Sequence, residues 1–122
     1  MARVCYKNHM AQGAFSEAVQ AAVELIEEVV AGIEQNHGDP DGLPSLRTHL
    51  VELLSLIERS PGVDAAADDL DAAAAGLVNT TAAEGGSSLG RRQRLLREAF
   101  QRFQQRLARA KPSAKAQRMG LD

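Results

Sequence analysis

Apolar residues recur along this chain at steps of three and four, the spacing that aligns side chains on one helical face. The clearest run joins Phe15, Val19, Ala22, Ile26, Val29 and Ile33, widened by Val23 and Val30. Glu17, Glu24, Glu27, Glu28 and Glu34 fill the polar remainder, so the spacing predicts a helix over about 12–35, stopped at Asn36-His37-Gly38. Several of these residues are β-branched, but they stand at helical rather than alternating positions.

Asp39-Pro40-Asp41-Gly42 reads as a turn. A second stripe of Leu46, Leu50, Leu53, Leu54 and Ile57 follows, predicting a helix over about 44–59 that ends at Ser60-Pro61-Gly62. The short connection makes the first two helices antiparallel neighbours. Asp64 is placed to cap a third helix over about 65–78, whose inner face would be Ala66, Ala67, Leu70, Ala73, Ala74 and Leu77. An alanine face buries little area, so this helix should depend most on its neighbours.

Gly85-Gly86-Ser87-Ser88 has linker composition. Beyond it, Leu89, Leu96, Phe100, Phe103, Leu107 and Ala110 form a heptad-like seam with Gln93 in its polar slot, predicting a fourth helix over about 88–110. Residues 112–122 lack periodicity and read as a disordered tail. The architecture expected is an all-α, four-helix bundle in one domain over 1–111, its fourth helix tethered by the linker.

Composition sharpens this picture. The chain of 122 residues is 44% apolar and 3% aromatic, and 21 of its residues are alanine, so its core must be aliphatic and modest. No apolar run is long enough for a membrane-spanning helix, and the first residues lack the apolar stretch of a secretory signal. Cys5, the single cysteine, excludes an intrachain disulfide and fits a reducing, cytoplasmic setting.

Charge changes the picture more. The net −2 is a sum of opposed segments. Residues 1–83 hold four basic and thirteen acidic side chains, a balance of −9, and residues 84–122 hold ten basic and three acidic, a balance of +7. Arg91, Arg102 and Arg109, with Arg94 nearby, share the face of the fourth helix opposite its seam. That row could contact phosphates or an acidic protein, or simply balance the acidic body as a water-exposed face. A basic amphipathic helix could also lie on a membrane surface, although its apolar area is small.

Chemistry is sparse. Cys5, His9, His37 and His49 do not stand at the spacing of a three- or four-ligand metal site. Asp39-Pro-Asp-Gly puts its glycine too early for a calcium loop, and Leu50 stands where the bidentate Glu is required. His49 lacks the neighbours of a phosphotransfer histidine, being followed by Glu52 and Leu53. The carboxylates fall on outward stripes rather than converging in a pocket. Neither a catalytic residue nor a cofactor is expected.

The function expected is therefore a small non-catalytic interaction or regulatory protein. It would bind a protein partner, or itself as a homodimer, through Leu96, Phe100, Phe103 and Leu107 of the fourth helix. Arg91, Arg94, Arg102 and Arg109 would contact an anionic partner. The alternative is a nucleic-acid-binding regulator that uses those arginines.

Overall fold

A computed structural model of the chain describes residues 13–35, 41–79 and 86–121. Those residues form α1 (Gly13–Gln35), α2 (Gly42–Leu56), α3 (Pro61–Val78), α4 (Gly86–Leu107) and a short α5 (Ala114–Arg118), with no strand among them. The architecture is the expected all-α four-helix bundle.

The order is up-down-up-down, as the levels of facing residues establish. Arg47 of α2 meets Asp71 of α3. Along α3 and α4, Gly62 faces Arg106, Asp69 faces Arg102 and Gly76 faces Arg92, so the two helices run antiparallel. Glu34 at the end of α1 meets Gln93 and Arg97 near the start of α4. Packing is closest within the α1–α2 and α3–α4 hairpins.

The core is aliphatic apart from Phe100 and Phe103, its largest fully buried side chains. On α1 the buried line is Val23, Ile26, Val30 and Ile33, while Phe15, Val19, Ala22 and Val29 are half-buried. The inward direction is thus rotated toward Val23 and Val30, which the sequence pattern places at the edge of the stripe. Gly42 opens α2 with an ordinary φ, and its requirement is space. A Cβ there would lie 2.8 Å from the buried Ile33 Cγ1, so the missing side chain lets α2 start against the end of α1.

Several boundaries differ from the sequence expectation, and α4 takes in Gly86 to Ser88 of the linker-like stretch. Helix α3 begins at Pro61, four residues early, because Ser60 rather than Asp64 is its cap: the Ser60 hydroxyl accepts from the Val63 amide at 3.3 Å. Proline suits the first helical position, where its missing N–H has no intrahelical acceptor. Asp64 lies one turn in and pairs with Arg59 at 2.7 Å. Helix α2 stops at Leu56, and Ile57 turns extended to form an isolated antiparallel bridge with Pro112. The Glu58 amide donates to the Lys111 carbonyl at 2.7 Å and the Ser113 amide to the Leu56 carbonyl at 3.0 Å.

That bridge corrects the reading of 112–122 as a disordered tail. Ser113 caps α5, its hydroxyl accepting from the Ala116 amide at 3.1 Å and donating to the Ser55 carbonyl at 2.8 Å. Gly120, at φ 83, closes the other end, with the Leu121 amide donating to Ala116 and the Gly120 amide to Gln117. Those two bonds satisfy carbonyls that a helix end otherwise leaves open. Ala116 is fully buried, so the short helix is docked on the bundle.

Three stability outcomes are expected. Phe103→Ala should cost about 3–5 kcal/mol in denaturant unfolding, because an aromatic-sized cavity opens among core residues. Gly32→Ala, with open space around it, should gain about 0.5–1 kcal/mol in the helix interior. Gly42→Ala should instead destabilise, through its clash with Ile33. Equal gains at both glycines would refute the packing role given to Gly42.

Candidate interaction surface

The seam residues of α4 lie inside the bundle. Leu96 and Phe103 are fully buried, Phe100 is 1% exposed and Leu107 7%. Helix α4 therefore docks on its own body, and a partner could reach these four residues only if α4 left its place. The same burial removes the apolar face that a headgroup layer would need.

Two polar side chains fix this docking by meeting helix ends. The Gln93 amide donates to the Glu34 carbonyl in the last turn of α1 at 2.7 Å. Arg92 donates to the Gly76 carbonyl near the end of α3 at 2.8 Å. Carbonyls in a final turn have no amide ahead of them in their own helix, so α4 supplies the donors from outside. The polar slot that Gln93 makes in the seam is thereby explained.

Arg97 is the residue that the reading of the outward arginines passed over. Its guanidinium pairs with both oxygens of Glu34 and reaches Glu27 at 3.3 Å, while lying 5.6 Å from the Phe100 ring centroid. The hydrogen bond with Glu34 holds its pKa above the usual arginine value, with desolvation opposing and Glu27 adding to the rise. The available signal was positional: Arg97 follows the core residue Leu96 and so sits at the seam's flank, facing the acidic side of α1.

Arg91, Arg94, Arg102 and Arg109 point outward, as expected from the helical wheel, and are exposed. Arg91, Arg94 and Arg102 lie on α4 and span about 17 Å at 1.5 Å per residue, whereas Arg109 lies past the helix, which ends at Leu107 rather than at the expected 110. Arg102 lies 3.9 Å from Asp69 of α3. Among the described residues Arg91, Arg94 and Arg109 make no ion pair. The row is not uniformly basic, because the exposed Glu98 lies within it and Asp68 and Asp69 flank it on α3.

Beside the row runs a groove of about 320 Å³ between α3 and α4. Ala72, Ala73 and Gly76 line one wall, Leu95 and Ala99 the other, with Asp69, Arg92 and Arg102 at the rim. Leu95 is 48% exposed although it neighbours the core. A larger groove of about 660 Å³ lies between the start of α1 and the end of α4, lined by Phe15, Val19, Val23, Leu107 and Pro112. Lys111 is the charged group on its wall.

Neither groove gathers groups for catalysis. Among the described residues, no three His, Cys, Asp or Glu side chains are placed to hold a metal ion. Cys5, His9 and His37 lie outside the described residues. The half-buried His49 meets the exposed Glu52 at 3.2 Å on α2, away from both grooves. No described helix is long and apolar enough to cross a membrane.

Arg97→Met should lower stability by about 1–2 kcal/mol, between the range of exposed ion pairs and that of charged hydrogen bonds, since Glu34 loses its cation at a half-buried position. Arg94→Met, at an outward position without an ion pair, should change stability by less than about 0.5 kcal/mol. Thermal or denaturant unfolding of the two variants checks both, and indistinguishable midpoints would sink the role given to Arg97.

Compared with known protein families, curated proteins and solved structures, the chain matches none.

Proposed function

We propose that this chain is a non-catalytic, cytoplasmic interaction module. It binds a protein partner through the outward side of α4 together with the α3–α4 groove, rather than through the buried seam. The observation that carries this is Leu95, held half out of the bundle across a groove from Ala72, Ala73 and Gly76, with charges of both signs at the rim. Apolar contact at the centre with polar groups at the rim is the anatomy of a protein–protein contact.

The second reading, nucleic-acid binding, draws on the outward Arg91, Arg94, Arg102 and Arg109. Asp68, Asp69 and Glu98 count against it, because carboxylates within the same surface repel phosphates and weaken the counterion-release drive. Nor, among the described residues, does an exposed aromatic stand beside the arginines to stack on a base, since Phe100 and Phe103 are buried.

A photoreactive side chain at Ala72 should trap a protein in the producing cells. The same group at Val51, exposed on α2, should not. Leu95→Asp should abolish the adduct at position 72. Absence of an adduct at 72, or equal trapping at both positions, would refute the module. Generic duplex and single-stranded nucleic acid should show no salt-dependent anisotropy change. A log–log salt slope of several units would instead establish the nucleic-acid reading.

A further inference from the structure

We infer that the occupant of the α3–α4 groove is a second copy of this chain, related by a two-fold axis parallel to the helices. The inference rests on the reading of this face as a protein-binding surface and identifies the partner.

A two-fold interface brings one surface patch onto itself, so the patch must be self-complementary. This face is. Its α3 side carries the exposed Asp68 and Asp69, its α4 side the exposed Arg91, Arg94 and Arg102, and the apolar groove runs between them. Two face-to-face arrangements keep the helices aligned. An axis across the helices would lay α3 on α3 and α4 on α4, opposing like charges. An axis along them lays α3 of each copy on α4 of the other, acidic side against basic side.

Register decides whether those charges meet. An axis along the helices leaves every residue at its own level, so charges pair between copies only if they are already level within one copy. Asp69 and Arg102 are: they approach to 3.9 Å across the α3–α4 hairpin and remain 61% and 49% exposed. Each therefore keeps free surface for its counterpart, and one copy's Asp69 comes to stand opposite the other's Arg102, twice per dimer. Leu95 lies in the same groove as Ala72, Ala73 and Gly76. The axis carries it onto that small-residue wall of the second copy, where the absent side chains leave room.

The apolar contribution is a leucine and a few alanines from each copy, so the association belongs to the weak, small-interface class. Opposite charges set its register, and added salt should loosen it.

Sedimentation under reducing conditions tests this. Wild-type protein should pass from single to twice the chain mass between about 1 µM and 1 mM, the range of weak affinities. Raised salt should shift the transition upward. Arg102→Glu alone and Asp69→Lys alone should each remain monomeric at unchanged helicity, both positions being exposed. An equimolar mixture of the two variants should recover the wild-type transition, because acidic meets basic again at both contacts. A fold defect in either variant would not be repaired by mixing.

Wild-type monomer at every concentration, or dimers of either single variant as stable as wild type, would overturn the second copy. A mixture that associates more strongly than wild type would show α3 laid on α3 and overturn the axis. If the wild type is monomeric while the group at Ala72 still traps a different protein, only this inference fails. If nothing is trapped at Ala72, the module reading fails with it.

Discussion

Everything else in this bundle depends on how α4 fills the groove left by the first three helices. Leu96, Phe100, Phe103 and Leu107 supply the bulk that the alanine face of α3 cannot. Ala66, Ala67 and Ala74 are buried, but each removes little area from water, and the two phenylalanines on α4 compensate by their size. The polar contacts then set where α4 stops. Gln93 and Arg92 reach carbonyls near the ends of α1 and α3, and a shift of α4 by one turn would leave both carbonyls without those donors.

The opposed charge of the two segments becomes intelligible once α4 is docked. Arg97 pairs with Glu34 and Glu27, and Arg102 approaches Asp69, so part of the basic segment balances part of the acidic one. Within the acidic segment, Arg47 meets Asp71 and Arg59 meets Asp64, both at 2.7 Å. The Asp71 hydrogen bond raises the Arg47 pKa, but that guanidinium is exposed, so its worth is in orientation more than in stability. What remains outward on α4 is a row in which Glu98 interrupts the arginines.

The periodic parts of the fold were legible in the sequence because burial follows a helical stripe. The stripes of α1, α2 and α4 name most of the core, and the alanine face of α3 packs as expected except at Ala73, which lines the open groove. What stayed hidden turns on single contacts. Ser60-Pro61, which reads as the stop of the second helix, is instead the cap of α3, and α2 ends early where Ile57 turns extended and bridges Pro112 from far along the chain. The segment after Lys111 has no hydrophobic period because five residues are too few to show one. Its signals were Ser113 and Gly120 at its two ends. The seam of α4 announced burial without saying against which body. Gln93 stands in the seam's polar slot and Arg97 at its flank, but neither position names the partner on α1 that settles this.

The alanines of α3 have two physical consequences, and they pull in different directions. Facing inward, small side chains let α3 approach α4 closely, which brings Arg92 within reach of Gly76 and Asp69 near Arg102. At the edge of the same helix, Ala72, Ala73 and Gly76 leave the groove beside Leu95 unfilled. Larger apolar residues there would cover Leu95 and add buried area, so stability alone gives no reason for the open wall. Helix propensity accounts for Ala72 and Ala73 but not for Gly76, since glycine inside α3 is unfavourable relative to alanine. A wall kept low beside a half-exposed leucine, with opposite charges level on its two sides, instead matches what an incoming side chain requires. It has a place to enter, apolar atoms to touch, and a charge pattern that fixes its direction.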